Sequence, residues 1–333
     1  MKKAEAAQHQ PAENGWTRLW EGSQGKRYLF LAGVLALLFH RPLSELLRYS
    51  LSSDLYSYIP LIPLVSAGLI WLNRADLCRM ANGSPGVALV PILLGAWLLI
   101  HCWTLVPQRA QLNENDRLSF LTAAFLFLLI GGAFMVFGAG LMRAVAFPAS
   151  FLMFTVPLPT FFTDWLEGFL QHASADAASA LFTSCGATVF HEGLFFRLPG
   201  IAIEVAKECS GIHSSLVLMI TSLVAGHLFL RSPWKKTALA LAVIPLGIIR
   251  NGFRIFTLGM LCVHVNPNII DSPLHHRGGP IFFVLSLVPF FALLFLLRRS
   301  ERPGKVAMAA SANPPAKNAQ VSLDPRTGSQ RAV

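Results

Sequence analysis

Charge is what this sequence lacks first. Only 13% of its 333 residues are Asp, Glu, Lys or Arg, while 54% are hydrophobic; soluble domains carry about 25% charged residues. That leaves too little polar surface to enclose a water-soluble core. Acidic residues are the scarcer sign, 17 against 27 basic, for a net charge of +10. No basic run with interleaved aromatics lies outside the apolar stretches, so the excess points to a membrane surface and no nucleic acid is expected as a partner. Cysteine is sparse. Cys78, Cys102, Cys185, Cys209 and Cys262 are odd in number and form no CxxC pair, so no complete disulfide framework or spaced zinc set is implied. Common catalytic motifs are missing as well. His191-Glu192 runs on into Gly193, Leu194 and Phe195 and does not complete HExxH, and there is no Walker loop or G-x-S-x-G elbow. Neither a cofactor nor a metal is expected.

What the sequence has in place of charge is long apolar runs, and about 20 such residues cross a bilayer. Eight segments read as spans: 28–40, 58–72, 86–106, 118–141, 144–159, 212–230, 237–261 and 281–297, the first, second and fifth being short. The expected fold is an all-α polytopic membrane protein of about eight transmembrane helices. Residues 1–27 form a polar cytoplasmic leader, 28–300 the membrane domain, and 301–333 a disordered Ala-, Pro- and Ser-rich cytoplasmic tail. The leader is long and Arg41 follows the first apolar core, which favours a retained span over a cleaved signal peptide. With both termini inside, one face receives Lys26, Arg27, Arg74, Arg79, Arg143, Arg231, Lys235, Lys236, Arg298, Arg299, Arg302 and Lys305. The opposite face mixes its basic residues with most of the acids, the bias of a cytoplasmic and an outer side. The longest loop, about 159–210, then lies outside. Phe161 to Phe182 predicts an interfacial helix, and Ala187 to Val205, broken at Gly193 and Pro199-Gly200, a small hairpin or strand pair.

Three places do not look like packing. Cys209 in Glu208-Cys209-Ser210-Gly211-Ile212-His213 stands at a helix start, where orphan N–H groups and the helix dipole favour thiolate. From position alone, a reactive thiol and a buried or Cys185-bonded cysteine are equally good readings. Arg250-Asn251-Gly252-Phe253-Arg254 puts two guanidiniums on one helix face inside a span, a costly placement that marks function unless a structural ion pair accounts for it. His275-His276 precedes the last span. With alternating spans all three fall on the outer side, and a thiol, a base and a fixed cation on one face make a nucleophilic cysteine site. His101, His227 and His264 read as polar groups at span ends.

In these residues the sequence resembles the exosortase/archaeosortase family of membrane cysteine transpeptidases. The likeness runs from Asp54-Leu55-Tyr56-Ser57-Tyr58 through Val156-Pro157-Leu158-Pro159, His191-Glu192-Gly193 and Leu198-Pro199-Gly200. It continues through Val205-Ala206-Lys207-Glu208-Cys209-Ser210-Gly211, Asn251-x-x-Arg254-Ile255, and His275 followed four residues later by Gly279. The resemblance implies a thiol peptidase or transpeptidase (EC 3.4.22-like) with Cys209 as nucleophile, Arg254 as thiolate or oxyanion stabiliser and His275 as general acid/base. It further implies a multi-pass protein of the bacterial inner membrane with its active site on the periplasmic side. Its partners would be membrane lipid and secreted proteins ending in a motif, a hydrophobic helix and a basic cluster, of the PEP-CTERM type, with exopolysaccharide or another acceptor.

The sequence also departs from the family. His213 stands four residues after the cysteine, where arginine is common, and is a rival base. Arg250 competes with Arg254, and His276 with His275, although the spacing to Gly279 favours His275. Two readings from other classes remain open: a transporter or channel lined by the Arg and His residues, and a scaffold for an export complex.

Overall fold

Inside a bilayer a lone segment satisfies its backbone only as a helix, and helix is what the apolar runs form. The computed structural model describes residues 20–74, 88–104, 113–207, 210–266 and 279–301. In chain order the helices are α1 (Ser23–Leu38), α2 (His40–Ser52), α3 (Leu61–Leu72), α4 (Leu89–Thr104), α5 (Glu114–Ala144) and α6 (Ala146–Phe151), which runs into a 3-10 turn (Leu152–Thr155). Then come α7 (Thr160–Ser184), the strands β1 (Phe190–Glu192), β2 (Phe195–Leu198) and β3 (Ile201–Glu204), and the helices α8 (Ile212–Phe229), α9 (Pro233–His264) and α10 (Gly279–Arg299).

Four helices, α5, α8, α9 and α10, are long and apolar enough to cross a membrane, and the number rises to six if each of two bent pairs is one span. Those pairs are α1 with α2, bent by 71°, and α6 plus its 3-10 turn with α7, bent by 89°. All eight expected segments contain helix. Two of them, α3 and α4, are shorter apolar helices of 12 and 16 residues, about 18 and 24 Å long at 1.5 Å per residue, less than a bilayer core of about 30 Å. The outward faces confirm the solvent. On α10, Ile281, Val284, Leu285, Val288, Phe291 and Phe295 are all more than half exposed or nearly so, while Phe282, Ser286, Phe290 and Leu294 are buried at a spacing of four. A helix apolar on both faces belongs in lipid.

Two groups of helices build the body. In the first, α5 packs against α1, α2 and α4. In the second, α9 packs against α7, α8 and α10. A cluster of Leu46, Tyr56, Tyr58, Ile59, Ile62, Leu118 and Phe151 joins them and reaches Leu216, Val217 and Ile220 of α8. The strands form a three-stranded antiparallel meander, in the order β1-β2-β3, with Pro199-Gly200 as its second turn; Gly200 takes φ +82°, as the third position of a Pro-Gly turn requires. Inward-facing Phe196 and Leu198 of the sheet pack with Phe182 of α7 and Ile255 of α9. This sheet lies where a hairpin or strand pair is expected, with one strand more.

Helix α9 has 32 residues and spans about 48 Å, longer than a bilayer core of about 30 Å, and it packs against α7 and the sheet. At the opposite, basic end two caps are exchanged. Glu301, just past α10, accepts from the Arg231 and Ser232 amides at 3.0 Å, ahead of the first turn of α9. Lys235 of α9 donates to the Leu297 carbonyl of α10 at 3.2 Å and to Ser300 Oγ at 2.8 Å. Each helix terminus is thereby closed by a charge of the sign its dipole favours, and the register between α9 and α10 is fixed.

The Ser232 amide, followed by that of Arg231 and nearby basic charges, holds the Glu301 carboxyl below its ordinary value of 4.5. A depressed carboxyl stabilises the fold above its unfolded value, and that contribution disappears as pH falls through the lower folded value. Glu301→Gln is therefore expected to lower the melting temperature of the detergent-solubilised protein at pH 7. The gap to wild type should begin to narrow as the pH drops below about 4.5 and close only below the lower folded value, as followed by thermal unfolding at a series of pH values.

Candidate active site

The start of α8 is set down directly on α9. Gly211 precedes α8 with φ +74°, and its carbonyl accepts from Arg250 Nη2 at 3.2 Å. A methyl group at Gly211 would lie 2.9 Å from that Nη2 and 3.1 Å from Asn251 Cγ. Only glycine allows both the left-handed backbone and this approach. Ser210, Arg250 and Asn251 are 2%, 8% and 2% exposed, so the Ser210–Gly211 turn and the Arg250–Asn251 stretch form one buried polar contact.

Arg254 lies one turn further along α9, and its charge acts on Arg250. Counting 21 residues from Pro233 puts Arg254 about 31 Å from the basic end of the helix, one hydrocarbon thickness away. Arg250 spends one amino group on the Gly211 carbonyl, while its Nη1 is buried and has no hydrogen-bond partner among the described residues. Placing a guanidinium in a span costs at least about 2.5–3.5 kcal/mol, and a hydrogen bond to a charged group returns about 1.5–3 kcal/mol. One carbonyl contact offsets much of the cost but leaves a donor unused.

The other elements around this spot are pinned by polar contacts. His213, in the first turn of α8, lies within electrostatic reach of Asp54. Tyr56 Oη and Asn115 Nδ2 both donate to the Leu158 carbonyl, at 3.1 and 2.7 Å. Ser119 Oγ donates to the Pro157 carbonyl at 2.7 Å. Asp116 Oδ1 accepts from the Thr160 amide and hydroxyl at 2.6 and 2.9 Å, capping α7. Gln171 of α7 donates to the Val205 carbonyl, which holds the chain between β3 and α8. The first turn of α10 meets α9 through Phe282 and Phe253, whose rings lie 6.3 Å apart edge to face.

Among the expected site residues, the structure thus joins Ser210, Gly211, Arg250 and Asn251, sets Arg254 one turn away, and places His213 within electrostatic reach of Asp54. Gly279 opens α10, with no atom within 4 Å of where its Cβ would be. Cys209, His275 and His276 lie outside the described residues. Cys185, at the end of α7, is an exposed free thiol. The span-end histidines make ordinary contacts: His227 stacks on Phe147 at 3.9 Å, His101 on Trp97 at 5.2 Å, and His264 Nδ1 bonds the Met260 carbonyl. No cluster of three or more metal-ligating side chains occurs among the described residues. Sequence reasoning missed Asn115, Asp116, Ser119 and Gln171, whose partners are distant backbone groups that no local pattern announces.

Comparison with known families decides what the frame is for. The family model of the transmembrane exosortases matches residues 44–292. The chain belongs to the transmembrane exosortase family. Membership makes it, in general terms, a membrane transpeptidase or protease. No curated protein matches this exosortase, and no solved structure does. The matched stretch begins just before the Asp54–Tyr58 segment and ends within α10, so it takes in every element that frames the Arg250–Gly211 contact.

Close packing of α9 on α7 holds the arginines at this height. A methyl group at Gly252 would sit 2.7 Å from Ala177 Cβ and 3.1 Å from both the Ala178 amide and the Ser174 carbonyl of α7. Gly252→Ala must push two backbones apart, and we expect it to lower stability by about 1–3 kcal/mol in denaturant unfolding of the solubilised exosortase. Gly168→Ala, on the same α7 but with no atom within 4 Å, is expected to be neutral or mildly stabilising.

Proposed function

We propose that this exosortase is a cysteine-type peptidase or transpeptidase that cleaves the C-terminal sorting signals of secreted proteins at the outer face of the bacterial inner membrane. The observation that carries the reading is the buried contact of the Ser210–Gly211 turn with Arg250 and Asn251, within a chain of this family. It links the residues that follow Cys209 to the stretch that contains Arg254. The topology proposed has eight crossings, both termini inside and the loop of about 159–210 outside. Helix direction supports it: α8 runs away from the site, α9 returns past it, and α10 leaves again. Arg231, Lys235, Lys236, Arg298 and Arg299 all gather at the far end, which the positive-inside rule makes cytoplasmic. Exposed Phe161, Phe162, Trp165 and Phe169 on α7 suit a membrane interface, where aromatic rings concentrate.

In the proposed reaction the Cys209 thiolate attacks a peptide carbonyl near the end of the substrate. His275 takes the thiol proton and later gives it to the leaving amine. Arg254 stabilises thiolate or oxyanion. Water or an acceptor nucleophile then resolves the thioacyl intermediate. The substrate signal consists of a motif, a hydrophobic helix lying against the spans, and a basic cluster left on the cytoplasmic side, as in the PEP-CTERM type.

The test is the size of a co-expressed secreted reporter that ends in motif, helix and basic cluster. Shortening is expected with the wild-type exosortase and not with Cys209→Ala, while both insert equally well in the membrane. Equal processing by Cys209→Ala would remove Cys209 as nucleophile and bring a transporter or scaffold role forward.

A further inference from the structure

The first group of helices encloses a cavity that the candidate active site does not use. It has a volume of about 110 Å³ and lies between α1, α3, α5 and α6, with Trp20, Tyr28, Ile70, Phe137, Leu141 and Met142 in its wall. The rings of Trp20, Tyr28 and Phe137 stand 5.2 to 6.5 Å apart, which sets the start of α1 beside the end of α5. Gly138, between Phe137 and Leu141, takes φ +77° and ψ 172°, far from helical values, so α5 is kinked within this wall.

Apart from the Trp20 indole and the Tyr28 hydroxyl, every side chain of the wall is apolar. A cavity of that kind stays dry and takes hydrocarbon. A helix is about 10–12 Å across with its side chains and cannot enter it, which excludes a substrate helix or a second copy of the chain; a single alkyl chain can. Cations stand beside it. Lys26 and Arg27 immediately precede Tyr28, Arg143 follows Met142, and Arg74 lies one turn past Ile70. Lys26, Arg27 and Arg143 are exposed and make no ion pair among the described residues. The stretches 20–28, 70–74 and 137–152 contain one acid, Glu21, against these four basic residues. Unneutralised cations next to a hydrocarbon-lined cavity complement an anion that carries an alkyl chain.

We propose that this cavity binds one anionic phospholipid from the leaflet at the basic end of the helices. An acyl chain occupies the cavity, Lys26, Arg27 and Arg143 hold the phosphate, and Tyr28 Oη donates to a lipid oxygen. The charges select the headgroup and the cavity selects the chain. The inference uses the membrane setting of the family and none of the cleavage chemistry.

The experiment is native mass spectrometry of the full-length exosortase in a neutral detergent, equilibrated with equal amounts of phosphatidylglycerol and phosphatidylcholine bearing the same chains. One phosphatidylglycerol is expected to stay bound per protein in preference to phosphatidylcholine. A basic residue near the headgroup is worth about fivefold in binding an anionic lipid. Arg143→Gln is therefore expected to cut the preference about fivefold, and the triple change Lys26→Gln, Arg27→Gln, Arg143→Gln to cut it by on the order of a hundredfold. Ala133→Leu, which fills the cavity from α5, is expected to lose the lipid with all charges in place; Ala149→Leu of α6 does the same should Ala133→Leu fail to fold. Equal or greater retention of phosphatidylcholine by the wild type overturns the proposal, as does an unchanged preference in the triple variant. Full retention of phosphatidylglycerol by a folded cavity variant also overturns it, because the charges would then be attracting lipid at the surface without the cavity.

Discussion

Two guanidinium groups one helical turn apart, in a helix that crosses a membrane, set the terms for the rest of this molecule. Neither can be left bare in lipid. Arg250 answers the demand by donating to the Gly211 carbonyl, and that contact propagates. It needs a residue without a side chain at 211, because a Cβ would fall 2.9 Å from the guanidinium. It fixes where α8 begins. On the other flank Gly252 lets α9 lie closely against α7. Pro245, in the interior of the same helix, removes one ladder hydrogen bond just below the pair, so α9 is held there by neighbours more than by its own backbone.

The exosortase is built for two solvents, and the rules of cohesion change along α9. In the lipid-facing part, lipid is as apolar as any side chain, so helices cohere by close approach of small residues, as at Gly95 against Leu128 and Gly131 against Ile92. Wherever a helix outruns the bilayer, water returns and burial becomes favourable in the ordinary way. Phe182 and Phe196, each 1% exposed, contribute roughly 1.5–3 kcal/mol apiece in the cap formed by α7, the sheet and the end of α9. Arg250 is supported in part by a backbone carbonyl, that of Gly211.

Much of this was legible in the sequence because the signals were strong and local. Eight apolar runs sort by length, Arg250 and Arg254 share a face by spacing alone, and Pro199-Gly200 announces a turn. Less legible was how runs end. The sequence shows that the stretch from Ala144 to Pro159 is apolar, but not that it bends by 89° into α7, since the bend is set by acceptors and donors far apart in the chain. For the same reason Asp116 reads as an ordinary acid at a helix start, while its actual work is to cap another helix through Thr160. The eight-residue stretch around Cys209 was readable as chemistry only through family likeness; composition left the thiol's role evenly divided.

The bend also gives a role to residues with no reactive group. Val156-Pro157-Leu158-Pro159 cannot continue a helix, because its prolines offer no amide, so the carbonyls of Pro157 and Leu158 need donors from elsewhere. Ser119, Asn115 and Tyr56 provide them. Tyr56 belongs to the segment whose Asp54 lies within electrostatic reach of His213 at the start of α8, so one short run of residues braces both the bend and the helix that follows the cysteine. The first half of the exosortase thereby braces the start of α8. What it contributes is the 89° angle at which α7 follows α6, and α7 in turn holds the chain ahead of α8 through Gln171 and the Val205 carbonyl.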